Sequence, residues 1–156
     1  MNKIIKVILS IFVCQLAGII GSVFTFSAIP EWYLFLNKPF FSPPNWLFAP
    51  AWIILYTLMG ISLYLALEKG LLEQKNKMPL YFFSAQLVLN ALWSILFFGL
   101  RNPLLGLIEI IVLWIFIALT IKEFYSIDKR ASYLLIPYIL WVSFASALNF
   151  AIFLLN

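Results

Sequence analysis

Three sets of polar and aromatic residues recur at helical spacing inside otherwise apolar sequence. Gln86, Asn90, Trp93 and Phe97 fall at i, i+4, i+7 and i+11, which puts them on one helix face. Tyr138, Trp141, Ala145 and Asn149 share a second face, and Trp52, Tyr56 and Met59 align on a third. These residue types do recognition chemistry rather than bond-making. Indole and phenol rings stack on a flat apolar guest, and a few amides fix its orientation. In lipid the same groups also serve as glue between helices, where a buried polar side chain must find a partner. Spacing alone favours that plainer packing role.

One carboxylate, Glu109, lies well inside an apolar run, six residues after Pro103 and so about 9 Å along a helix. An intramembrane acid is a functional candidate by default. Arg101 on the short preceding loop is its expected partner, with snorkelling to the interface as the alternative. A structural role fits it better than proton coupling, since no Lys or His relay stands near. The chain has no histidine, which removes imidazole acid–base catalysis, Ser–His–Asp triads and the commonest zinc and haem ligand. The single cysteine, Cys14, has no partner for a disulfide within the chain. No phosphate loop, metal-ligand cluster or paired carboxylates appear, so hydrolase or dehydrogenase chemistry is unsupported and no metal site is expected.

The elements that would carry these residues follow from composition. The chain of 156 residues is 65% hydrophobic and 10% charged, with mean hydropathy +1.05, against about 45–50% apolar and about 25% charged in soluble domains. The apolar surplus must face lipid. The fold class expected is an all-α membrane protein, a single five-helix transmembrane domain over 1–156. Its helices are placed at about 5–28, 46–67, 79–100, 103–123 and 132–154, each near the ~20 residues that a span requires. Asn102-Pro103 reads as an N-cap followed by proline at the first helical position, and Pro79 opens the third helix likewise. Pro50 and Pro137 lie about a turn inside their helices and should each leave a kink or a freed carbonyl. Lys3 and Lys6 before the first apolar run resemble a signal-peptide n-region, but the run is longer than an h-region of about 7–15 residues, so a retained helix is expected.

Eight of the ten lysines and arginines fall at the N-terminus and in the second and fourth loops. The positive-inside rule then places the N-terminus in the cytoplasm of a multi-pass protein in the cell membrane. Because the basic residues are scattered, the net charge of +4 reads as topology and not as a nucleic-acid surface. The longest loop, 29–45, reads IPEWYLFLNKPFFSPPN. Aromatic and proline-rich, it is suited equally to packing on the bundle as a lid and to forming an interfacial aromatic belt. Small residues on the first helix, Ala17, Gly18 and Gly21, allow close backbone approach. Ala17 with Gly21, or Ser143 with Ala147, would suit a face between two copies.

The stretch WYLFLNKPFFSPPNWLFAPAWIILYTLMG, from Trp32 to Gly60, closely resembles the translocator protein family, also called tryptophan-rich sensory proteins or peripheral benzodiazepine receptors. The match is carried by Trp32, Tyr33, Lys38, Pro39, Pro43, Pro44, Trp46, Pro50, Trp52, Tyr56, Met59 and Gly60. A second block, QLVLNALWSILFFGLR, matches through Gln86, Leu89, Asn90, Trp93, Phe97, Phe98, Gly99 and Arg101, and Glu109 takes the family's acidic position. A third, PYILWVSFASALNF, matches through Pro137, Tyr138, Trp141, Phe144, Ala145, Leu148 and Asn149. The resemblance implies a five-helix bundle, often a homodimer, with a pocket under the first loop. It implies ligands that are porphyrins such as protoporphyrin IX, other lipophilic small molecules and isoquinoline carboxamide drugs, with porphyrin as ligand or substrate and no required cofactor. The implied pocket positions are Trp52, Tyr56, Asn90, Trp93, Trp141, Ala145 and Leu148, with Trp46 at the entry to the second helix and Tyr33 and Pro44 in the lid. They include residues of all three stripes, so the resemblance turns the stripes from packing toward a ligand slot.

The family's proposed cholesterol motif, Tyr followed by Arg near the end of the fifth helix, is missing. Phe150 stands in place of the Tyr, and AIFLLN beyond it has no Lys or Arg, so cholesterol binding by that route is not expected. The leading reading is a membrane binding and sensing protein, with Lys38 meeting a porphyrin propionate. The alternatives are a light-dependent porphyrin-degrading enzyme, in which Trp52 and Trp141 are the oxidisable groups, and a transporter of tetrapyrrole or lipid. Transport is weakly supported, since no inverted repeat is evident.

Overall fold

A computed structural model describes all of residues 1–156. It is all-helical: α1 (Lys3–Glu31), α2 (Phe48–Glu68), α3 (Met78–Ser94), α4 (Pro103–Ile127), α5 (Lys129–Tyr133) and α6 (Ile136–Leu155). Single 3₁₀ turns at Tyr33–Phe35 and Asn45–Leu47 interrupt the loop between α1 and α2, and α3 runs on into a π-helical turn, Ile95–Gly99. Five segments are long and apolar enough to cross a membrane: Lys3–Glu31, Asn45–Glu68, Met78–Gly99, Pro103–Ile127 and Lys129–Leu155. Their outward faces carry rows of exposed Ile, Leu, Val and Phe, as lipid requires. The chain is a multi-pass membrane protein.

Local chemistry fixes the ends. The Asn102 side chain accepts from the backbone N–H groups of Leu104 and Leu105, both at 3.1 Å, with Pro103 in the first turn, as the sequence implied. Asp128 accepts from the Arg130 N–H at 2.8 Å and starts α5 immediately, so the fourth span reaches Ile127 rather than 123 and the link to the fifth is one residue long. The Arg130 guanidinium, 2.9 Å from the same carboxyl, holds Asp128 below the usual carboxylate range. After α2, Gly70 adopts φ +86°, a conformation glycine takes without steric cost. Gly70 N–H then reaches Leu67 C=O at 3.1 Å and Leu71 N–H reaches Ala66 C=O at 3.0 Å. This is a Schellman ending, with Leu71 and Ala66 both buried beneath it.

The two inner prolines behave differently. Pro50 is the third residue of α2, within the first turn, where its missing N–H has no intrahelical acceptor to leave empty, and α2 continues through it unbroken. Pro137 sits in the first turn of α6, and the break lies just before it, at Leu134–Leu135. The fifth span is therefore two helices.

α1 packs against α2 and α3, α3 against α4, and α4 against α6. α2 meets the fifth span mainly through short α5 and touches α6 far less. The bundle is thus tight at the end holding α5 and splayed at the other. α1 and α2 are drawn together by small residues. A Cβ on Gly60 would collide with the Ile11 backbone, and one on Gly18 would lie 2.6 Å from the Tyr56 ring. A Cβ on Gly21 would meet Ser94 Oγ of α3 at 2.8 Å, and Ala17 is buried. The Ala17–Gly21 pair is consumed by packing inside the bundle and is not an outer face between copies, which corrects that reading. Ser143 and Ala147 remain exposed.

Gly60→Ala would force α1 away from α2, because the obstructing atom is backbone. The expected loss is about 1–3 kcal/mol, read as a lowered thermal midpoint in detergent micelles. A midpoint equal to wild type would show that the α1–α2 seam yields freely.

Candidate functional site

In the splayed half of the bundle lies a cavity of about 440 Å³, within the range of small-molecule sites. α1, α2, α3 and α6 line it, and the α1–α2 loop covers it. All three polar–aromatic stripes converge here: Trp52 and Tyr56 from α2, Asn90, Trp93 and Phe97 from α3, and Trp141, Ala145 and Asn149 from α6. Leu148 also lines it.

The floor is a chain of hydrogen bonds among buried groups. The Tyr56 hydroxyl donates to Asn90 Oδ1. Asn90 Nδ2 donates to the Tyr138 hydroxyl at 2.7 Å, which donates to Gln86 Oε1 at 2.8 Å. Gln86 Nε2 ends the chain 3.5 Å from Met59 Sδ. Tyr138, Gln86 and Met59 therefore lie beneath the cavity, holding α2, α3 and α6 at a fixed spacing. One wall is pinned similarly: Trp93 Nε1 donates to Asn149 Oδ1 at 3.1 Å, and Asn149 Nδ2 donates to the Pro103 carbonyl at 2.8 Å.

The walls are aromatic. Trp52 stacks on Tyr56 with centroids 5.5 Å apart, and Trp93 stacks on Phe97 at 5.0 Å. Trp52 and Trp141 meet edge to face at 6.4 Å. In the π-helical turn, where Leu100 N–H bonds Ile95 C=O at 2.8 Å, the consecutive residues Phe97 and Phe98 both line the cavity. Widened turns of this kind re-aim side chains.

Tyr33 forms the roof. It is 2% exposed and packs on Phe48, Phe97 and Phe98. Its hydroxyl is buried without a hydrogen-bond partner of good geometry. Burial pushes the Tyr33 phenol above its ordinary pKa, with Ser42 acting in the opposite sense, so at neutral pH it is a protonated donor. Lys38 Nζ lies 4.7 Å from the Tyr33 ring centroid and bonds the Leu34 and Leu36 carbonyls. It braces the roof from behind and is not among the lining residues. The loop is latched to α6 through Asn37 and Asn156, which exchange hydrogen bonds of 3.1 and 2.9 Å.

Two of the expected binding residues sit elsewhere. Pro44 is exposed, and Trp46 is 71% exposed in the 3₁₀ turn just before α2. Neither lines the cavity, and Trp46 holds the position of an interfacial anchor. Glu109 is 6% exposed, with both carboxyl oxygens unpartnered, and lies outside the cavity lining. Arg101 does not reach it and instead pairs with Glu31 at 2.6 Å. The expectation of a Glu109–Arg101 pair or of snorkelling is therefore wrong: the α4 face that bears Glu109 turns into the bundle, while Arg101, at φ 51°, turns outward.

A family model described as the TspO/MBR family matches residues 10–155. The chain is 53% identical over 154 residues to the tryptophan-rich protein TspO of Archaeoglobus fulgidus, covering 99% of each chain. It is 40% identical over 126 residues to the tryptophan-rich sensory protein of Cereibacter sphaeroides, covering 81% of this chain and 77% of that one. With the translocator protein of Homo sapiens it shares 34% identity over 139 residues, 88% of this chain and 82% of that one. The chain belongs to the TspO/MBR family.

The TspO/MBR blocks read from the sequence cover the α2, α3 and α6 walls but leave out α1. Gln15, Gly18, Ser22, Thr25 and Ile29 line the cavity from that helix. They fall at i, i+3, i+7, i+10 and i+14, and the polar members of this face inside an uncharged run were the available signal.

Tyr138→Phe would strip the Asn90 amide of its acceptor and Gln86 Oε1 of its donor. Unsatisfied buried groups of this kind cost about 1–3 kcal/mol, so the thermal midpoint of the variant should fall although the ring and its packing remain. An unchanged midpoint would mean the floor does not hold the helices.

Proposed function

We propose that this TspO/MBR protein binds and senses flat, largely apolar molecules, porphyrins such as protoporphyrin IX first among them. The observation that carries the reading is the convergence of three aromatic stripes on one cavity lined mostly by apolar and aromatic side chains. A planar macrocycle gains stacking from Trp52, Trp93 and Trp141. The free Tyr33 hydroxyl supplies a donor overhead, and isoquinoline carboxamides meet the same chemistry with one aromatic plane and one amide. Lys38, committed to the roof, serves a propionate less directly than Tyr33 does. The basic residues favour a cytoplasmic N-terminus in the cell membrane, and exposed Ser143 and Ala147 favour a homodimer face on α6.

Titrating protoporphyrin IX into the purified protein should quench tryptophan fluorescence saturably. Trp52→Phe should weaken binding by about two- to tenfold, the worth of one aromatic pair. Quenching that never saturates would overturn the reading.

The edge-to-face contact of Trp52 and Trp141 inside the cavity favours a second reading, light-dependent breakdown of bound porphyrin. The bound pigment would do the photochemistry, and the two indoles would be its oxidisable neighbours. Under illumination, the absorption spectrum of the complex should then change along a course that Trp52→Phe and Trp141→Phe alter. An identical product spectrum from both variants would make the tryptophans bystanders.

A further inference from the structure

The cavity is shut on every side but one. Tyr33 seals the roof, and the loop that carries it is tied down by Asn37 and Asn156. The Tyr56–Asn90–Tyr138 chain seals the floor. Every lining residue on α3 and α6 is buried or half-buried. The exposed lining residues are Ile19 and Phe26 of α1 and Ala49 and Ile53 of α2. Ile19, Phe26 and Ile53 are 54%, 78% and 57% exposed. They lie within spanning segments, so what they are exposed to is acyl chain.

The seam between α1 and α2 explains the opening. Toward the N-terminal end of α1 the two helices are stitched together. Lys6 pairs with Glu68 at 2.8 Å, Gly60 admits the Ile11 backbone, and Gln15 Nε2 donates to the Ile53 carbonyl and to Thr57 Oγ1, each at 3.1 Å. Beyond Gln15 no hydrogen bond joins them, and the pairs that face each other border the cavity. From Gln15 to Phe26 the free rim of α1 runs about 16 Å.

We propose that ligand enters sideways from the hydrocarbon core through this mouth, with Ile19 and Phe26 as one lip and Ala49 and Ile53 as the other. The inference rests on the cavity being the ligand site, and it defines the ligand class further. The guest is a molecule that partitions into the bilayer before it binds, and Gln15 at the lower lip is the first amide it meets. A strongly hydrated molecule confined to water has no path in while the roof is latched.

The test uses stopped-flow quenching of tryptophan by protoporphyrin IX, with the full chain in nanodiscs and the porphyrin supplied from lipid vesicles. Ala49→Trp should obstruct the mouth and slow association and dissociation together by about tenfold, more than it changes Kd. Phe26→Ala should widen the mouth and speed both rates, which keeps the test decisive if the bulky variant fails to fold. Asn156→Ala, which removes the side chain that holds the Asn37 backbone and so loosens the roof, should leave the rates as in wild type. Faster entry in Asn156→Ala, with no effect of either lip variant, would overturn the side mouth in favour of the roof. A change in Kd in Ala49→Trp with unchanged rates would also overturn it, making the lip a contact and not a door. Absence of saturable quenching in the wild type would instead defeat the binding reading beneath it.

Discussion

A helix in lipid gains nothing by hiding a leucine, because the acyl chain outside is as apolar as the neighbour inside. What holds this bundle in register must therefore be close backbone packing and polar groups that have nowhere else to go. The chain from Tyr56 through Asn90 and Tyr138 to Gln86 is of that kind. Each member is buried, and each would be left unsatisfied if its helix slid or turned. One array of hydrogen bonds thereby sets the spacing of α2, α3 and α6, and it does so at the depth where the cavity begins. Glycines at 18, 21 and 60 do the complementary work on α1, which lies against α2 and α3 without a comparable polar tie at those points.

The consequence is an asymmetric bundle. At the α5 end, α2 packs against the short helix and Ser62 donates to the Ala131 carbonyl at 2.7 Å. At the opposite end α2 and α6 diverge, and the space between them is filled by aromatic walls and by the returning loop rather than by a helix. The loop succeeds as a cover because its aromatic side chains are packed as core. Tyr33 has the burial of an interior residue although it sits on no long helix, and Phe41 rests on Phe144 at 6.2 Å.

Much of this was legible in the residues. Long apolar runs gave the five spans, and helical periodicity gathered polar and aromatic residues onto three faces that meet at the cavity. The caps at Asn102 and Pro103 were readable because capping is local chemistry. What was hidden depends on geometry that period counting assumes away. The π-helical turn at Ile95–Gly99 shifts the face mid-helix and brings Phe98 beside Phe97, which a constant 3.6-residue period does not anticipate. The fate of Glu109 depended on which way α4 faces, and the charge nearest in sequence was no guide, since Arg101 found Glu31 instead. Trp46 matches the family pattern as well as Trp52 does, yet it lies in the 3₁₀ turn before α2, where it stays exposed, while Trp52 on α2 lines the cavity. The contribution of α1 was missed because its cavity face is built from Gln, Ser, Thr and Gly, which look unremarkable beside tryptophan.

The short break at Leu134–Leu135, and the tight end it creates, have a bearing on what the cavity will tolerate. Because the helices converge below the Asn90 amide, the space narrows as a wedge, and the amide–phenol layer acts as a depth stop. For a rigid disc entering by the side mouth, that layer below and the Tyr33 roof above fix the height of the slot it must fit. Selectivity among flat molecules then becomes a matter of their length along the bilayer normal as much as of their polarity.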